Sequence, residues 1–77
     1  MVLVTGATGH LGNTLVRLLL DLGESVRVML CPGETTRSID GLAVESVPGN
    51  VLDPVSVSRA VRGVDTVYHL AALSVCA

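Results

Sequence analysis

All five basic residues of this 77-residue chain are arginines, so the chain has no lysine. It also has no tryptophan or phenylalanine, and Tyr68 is its only aromatic residue. The missing lysine removes the phosphate motif that ends in Gly-Lys-Ser/Thr, and the residues after Gly12 are Asn13-Thr14. The missing aromatics argue against single-stranded nucleic acid, which is bound on aromatic stacking platforms. A formal net charge of −2 with no basic cluster argues against duplex nucleic acid and anionic membranes as partners. The apolar runs are short and interrupted, so no transmembrane helix is expected. The N-terminus lacks the basic start of a signal peptide, and Thr5-Gly6 breaks its apolar residues. A soluble, cytoplasmic protein is the expectation. Two cysteines, Cys31 and Cys76, are too few for a disulfide framework and have no metal-ligand spacing.

What remains is rich in valine, leucine and alanine, a composition suited to a buried parallel sheet covered by helices. A chain this short hides only about 60% of its unfolded surface, so it forms one small domain at most. Met1–Thr5 reads as a strand buried on both faces. A helix is expected from His10 to Leu22, with Leu11, Leu15, Leu18, Leu19 and Leu22 as its apolar stripe and Gly23 as its stop. Ser25–Leu30 reads as a second strand, ended by Cys31-Pro32-Gly33. Glu34 to Gly41 reads as a loop with one helical turn, and Leu42–Val47 as a third strand closed by Pro48-Gly49. Asp53 is a good N-cap with Pro54 behind it, and Val57, Ala60, Val61 and Val64 repeat at helical spacing. Arg59 and Arg62 fall in that helix's last turn, and Gly63 stops it. Val64–Leu70 is the fourth strand, apolar enough to be an unprotected sheet edge. The alternation predicts an α/β fold, a partial Rossmann sheet of four parallel strands in order 3-2-1-4 with helices on both faces.

Gly6, Gly9 and Gly12 lie between the first strand and the first helix. A tight turn out of a strand suits Gly6, approach of a diphosphate to bare backbone suits Gly9, and close helix–strand packing suits Gly12. The N–H groups at the helix start then bind the anion, aided by the helix dipole.

The segment Thr5-Gly6-Ala7-Thr8-Gly9-His10-Leu11-Gly12 resembles the TGxxGxxG fingerprint of the extended short-chain dehydrogenase/reductases, the NAD-dependent epimerase/dehydratase group. The likeness continues through VPGNVLDPVSVSRAVRGVDTVYHLAA, in the manner of dihydroflavonol-reductase-like and sugar-epimerase-like members. It implies a Rossmann segment binding NAD or NADP, with Gly6, Thr8, Gly9, His10, Leu11 and Gly12 along the pyrophosphate. Relatives that use NAD usually carry an acid at the end of the second strand, and those that use NADP often carry arginine there. Here Leu30-Cys31-Pro32 has neither; Cys31 faces the ribose by this likeness, and Arg37 is near enough to meet a 2′-phosphate. The missing acid tilts the expectation toward NADP. Asn50, standing where the family usually has aspartate, is expected to accept a bond from the adenine amino group, with Val51 beside it. Leu70, Ala71 and Ala72 match the small-residue segment against which the ribose and nicotinamide lie. His69 is expected to be a structural histidine and Tyr68 a packing residue. Cys31 and Cys76 follow strands separated by another, so two spacings of about 4.8 Å predict free thiols.

The family's Tyr-x-x-x-Lys pair, in which lysine tunes the tyrosine for proton transfer, is absent: His69 to Ala72 follow Tyr68. No catalytic or metal-binding residue is therefore expected within residues 1–77. The chain reads as the N-terminal cofactor-binding part of an oxidoreductase, epimerase or dehydratase, truncated before its substrate site. The alternatives are a non-catalytic NAD(P)-sensing module and a truncated product without a stable fold.

Overall fold

A computed structural model describes residues 1–70. Its elements run β1 (Val2–Thr5), α1 (His10–Asp21), β2 (Val26–Leu30), a 3-10 turn (Arg37–Ile39), β3 (Glu45–Pro48), α2 (Pro54–Ala60) and β4 (Thr66–His69). The four strands form one parallel sheet in the order β3-β2-β1-β4, as the alternation predicts. Val2 pairs with Val26 on one side and Thr66 on the other, so β1 is interior.

Alternation along the strands divides the core in two. Val2, Val4, Val26 and Val28 pack with Val16 and Leu19 of α1 and with Ile39. Leu3 and Met29 point to the opposite face and pack with Ala60 of α2. Both faces are thus covered, one by each helix, and all four β1 residues are buried.

The leucine stripe expected for α1 is only in part its inward face: Leu19 is buried and Leu15 packs against the core, but the other three leucines point out. Gly12, Val16 and Leu19 are buried, whereas Leu11, Leu18 and Leu22 are 67%, 54% and 68% exposed. Gly12 decides the rotation. A Cβ there would stand 2.0 Å from the Gly6 carbonyl oxygen, so the helix lies close against the strand–turn backbone at that point. Positions four and seven residues on, Val16 and Leu19, must then face the sheet. The helix closes in a Schellman arrangement, with Gly23 N–H on Leu20 O at 3.0 Å and Glu24 N–H on Leu19 O at 3.0 Å. Gly23 supplies the left-handed φ of +81° that this closure needs.

The third strand starts later than its apolar pattern suggests, at Glu45, and includes Pro48. Leu42 and Val44 instead pack against the α1-side core from a tight turn, Val44 N–H bonding Leu42 O at 2.9 Å. Pro48 is tolerated because β3 is an edge strand. At α2 the expected cap is present: the Asp53 carboxylate accepts from Val55 N at 3.1 Å and Ser56 Oγ at 3.0 Å. Arg59 is in its last turn, but Arg62 lies beyond it.

Arg27, on the α2 side of β2, does work that its sequence position does not advertise. Its Nη1 donates to Ala60 O at 2.7 Å and Arg62 O at 2.6 Å, satisfying carbonyls at the last residue of α2 and in the turn just after it. Its Nε lies 3.3 Å from Glu45 Oε1, an ion-pair contact without hydrogen-bond alignment. One side chain therefore joins β2, β3 and α2.

Candidate functional site

Every strand of the sheet points its C-terminal end to the same edge, where ligands of open parallel sheets bind. The segment from Gly6 to Gly12 crosses that edge. Gly6 leaves β1 with φ +74°, a conformation that disfavours side chains. Ala7 is fully buried, and Gly9 N–H bonds back to Gly6 O at 3.2 Å. Gly12 is fixed by its contact with the Gly6 backbone.

Gly9 differs from both. Its φ of −74° and ψ of 166° are open to any residue, and an added Cβ would meet only Gly6 O at an ordinary 3.4 Å. Among the described residues nothing requires glycine there. Gly9 is also the N-cap of α1, has no side chain to cap it, and is followed by no acid in the first turn. The first-turn N–H groups are consequently left facing outward with the positive end of the helix dipole. His10 and Leu11 are exposed on that turn. Such an arrangement suits an anion that needs bare backbone.

The segment after β2 is stitched onto this loop. Thr8 Oγ1 donates to Glu34 Oε1, while Glu34 Oε2 accepts from Cys31 N at 2.8 Å. Ser38 Oγ donates to Thr8 O at 3.2 Å. Asn13 Nδ2 and Arg17 Nη2 both donate to Ser38 O, the latter at 3.0 Å, and Arg17 Nε donates to Asn13 Oδ1 at 3.0 Å. Ile39, 5% exposed, anchors the segment in the core. The sequence reading missed Glu34, Asn13 and Ser38 as site-forming residues. For Glu34 a signal existed: an acid about twenty residues beyond the last glycine of such a triplet.

Arg37 begins the 3-10 turn, exposed and with no hydrogen bond or ion pair among the described residues. Cys31 lies just beyond β2, partly buried beside Glu34. The expected free thiol at Cys31 is corrected, because its sulfur is in a disulfide. The strand-spacing argument holds only within the ladder, and Cys31 lies past its end; Cys76 lies outside the described residues.

Asn50 sits in the turn after β3, its Oδ1 accepting from Leu52 N at 2.8 Å. This turn role occupies one lone pair of the amide oxygen and leaves another for a ligand donor. Val51 is partly buried next to it. At the end of β4, Leu70 N–H lies 3.2 Å from both Thr5 O and Thr5 Oγ1. His69 Nδ1 and Thr5 Oγ1 are 2.7 Å apart, so His69 is hydrogen-bonded to the end of β1. Tyr68 is 40% exposed rather than packed, because β4 is an edge strand. Ala71 and Ala72 lie outside the described residues.

A cavity of about 240 Å³ lies between α2 and the sheet, lined by Leu3, Met29, Val51, Val57, Val61 and Val67, with Thr5 and His69 as polar members. It takes no residue from Gly6 to Gly12, but it shares Val51 with the expected adenine contact and Thr5 with the start of the fingerprint.

Comparison with known proteins adds to this geometry. The family model described as the NAD dependent epimerase/dehydratase family matches residues 2–77. The chain belongs to that family. Over 70 residues it is 50% identical to sterol demethylase protein B of Methylococcus capsulatus, covering 91% of this chain and 21% of that protein. It superposes on a nucleoside-diphosphate-sugar epimerase from Pseudomonas aeruginosa with TM-score 0.83 and 29% identity, over 88% of this chain and 22% of that one. A short-chain dehydrogenase/reductase superfamily protein from Agrobacterium tumefaciens, solved with bound NAD, gives TM-score 0.73 and 37% identity, over 94% and 20%. The chain thus spans about a fifth of the length of these relatives.

Proposed function

We propose that residues 1–77 grip the diphosphate of NAD or NADP for an oxidoreductase, epimerase or dehydratase. The observation that carries this reading is Gly9: the fold leaves room for a side chain there, and its absence leaves the backbone of the helix start open to a ligand. Gly6, Thr8, Gly9, His10, Leu11 and Gly12 would border the pyrophosphate. Asn50 and Val51 would border the adenine, and Leu70, Ala71 and Ala72 the nicotinamide side. Cys31 and Arg37 would flank the ribose. The nicotinamide, when bound, would supply a hydride acceptor or donor. The chain's own residues bind and orient it, through backbone N–H groups and the positive end of α1. The Agrobacterium relative is solved with bound NAD, which supports the dinucleotide reading.

The chain's part is holding, because its sequence has no lysine to pair with a catalytic tyrosine. We take it as the cofactor-binding part of a longer protein. Support comes from β4, whose four residues are all exposed although Val67 and Tyr68 are suited to burial, as an interior strand would be. The missing tyrosine–lysine pair also favours a second reading, a module that senses NAD(P) without transforming it.

Fluorescence titration of the purified protein with NADH and NADPH tests the grip. Binding of either, weakened at least about tenfold by Gly9→Val while the melting temperature holds, is the expected result. No binding by the unaltered protein, or equal binding by the variant, contradicts it. A Tyr-x-x-x-Lys in the same reading frame downstream selects the enzyme over the sensor.

A further inference from the structure

A covalent cross-link stands on the same edge as the glycine segment. Cys31 is the first residue past β2, partly buried and in neither core cluster, and its sulfur is in a disulfide. Its N–H is bonded to the Glu34 carboxylate, which also holds the Thr8 hydroxyl of the glycine segment. The chain has two cysteines, so within one molecule the only possible partner of Cys31 is Cys76.

Strand order makes that pairing consequential. β1 lies between β2 and β4, and the glycine segment leaves the end of β1. A link from the end of β2 to the residues after β4 has to pass across that end. The chain has the reach for it: two strand spacings are about 9.6 Å, and the six residues from Leu70 to Cys76 span up to about 20 Å when extended.

We propose that Cys31 and Cys76 form a thiol–disulfide switch on the dinucleotide grip: the disulfide crosses the edge and bars the diphosphate, and reduction opens it. The switch rests on the dinucleotide reading above, because it acts on that grip. Its oxidant is a small disulfide, oxidised glutathione. One cysteine thiolate attacks a sulfur of that disulfide, forming a mixed disulfide and expelling one glutathione thiolate. The other cysteine thiolate attacks the protein sulfur of the mixed disulfide and expels the second. Two electrons pass from the cysteine pair to the small disulfide, and the two cysteine protons end on two glutathione thiols. Reduced glutathione runs the same exchange backwards. Exposed cross-links are the ones that exchange, and Cys31 stands outside both core clusters.

The test is NADH titration of the protein equilibrated with oxidised or with reduced glutathione, with peptide mapping of the same samples. Trypsin cuts after arginine, so the disulfide joins peptides 28–37 and 63–77 into one species that reduction separates. The oxidised protein is expected to contain that species and to bind NADH at least about tenfold more weakly than the reduced protein. Cys76→Ser is expected to bind like the reduced protein in both buffers. Equal affinity in the two states overturns the switch even where the peptides are joined. A covalent dimer, or no joined peptides after oxidation, overturns the pairing. Weakening by oxidised glutathione that persists in Cys76→Ser also overturns it, and assigns the effect to a mixed disulfide on Cys31. No NADH binding by the reduced protein removes the dinucleotide reading, and the switch with it, and is distinct from equal binding in both states.

Discussion

On the α1 face of the sheet, Val4, Val16 and Val28 are fully buried, and the loop after β2 is pinned to α1 through Ser38. On the α2 face, Val55, Val61 and Val67 are 57%, 38% and 48% exposed, and a cavity separates the helix from the strands. The same sheet supports both faces, so the strands do not explain the difference. The helices do. α1 has 12 residues and a glycine that lets it lie against the backbone of the β1 turn, while α2 has only seven residues. The tight face carries the glycine segment, where a shift of about one ångström would misplace a bound diphosphate. The loose face has an edge strand and a short helix held by Arg27.

If that contrast is real, the largest effect belongs to Gly12→Val. A Cβ 2.0 Å from Gly6 O forces α1 off the sheet, and denaturant unfolding should show a loss of about 3 kcal/mol or more, enough to unfold a small domain. A milder outcome would mean that α1 can tilt away without cost and that the tight face is less tight than its geometry. Arg27→Met comes next. It strips two carbonyl bonds at and just after the end of α2 and should cost about 1–3 kcal/mol, read from the same unfolding curves. Asp53→Ala removes the cap at the other end of α2 and should cost about 1 kcal/mol. The smallest effect is expected for Leu18→Gln, on the outward side of α1: a change within about 0.5 kcal/mol, against a clear loss for Val16→Ala on the inward side. Equal losses at both positions would refute the rotation assigned to α1.

These expectations also mark how far the sequence could be read. Strand order, the Asp53-Pro54 helix start, the Gly23 stop and the glycine segment are local or topological signals, and each appears in the structure where residue chemistry put it. The orientation of α1 was not legible from its leucines. Leucine recurs on more than one side of that helix, and only the approach of Gly12 to Gly6 selects Val16 and Leu19. The start of β3 was missed because Leu42 and Val44 carry strand-like side chains yet bury them from a turn. Glu34 is a long-range case: its partner Thr8 is 26 residues away in the chain, so no periodicity reports the contact, and only its spacing from the glycine triplet hinted at it. Cys31 failed for a related reason, since ladder spacing does not govern residues beyond a strand end.

The central claim is that the start of α1 grips a dinucleotide diphosphate through bare backbone. Amide chemical shifts of the ¹⁵N-labelled protein, followed while NADH is added, test it most directly. The largest changes should fall on Gly9, His10, Leu11 and Gly12, with smaller ones at Thr8 and Glu34. Changes centred on Val57, Val61 and Val67 around the α2 cavity, or none at all, would contradict it.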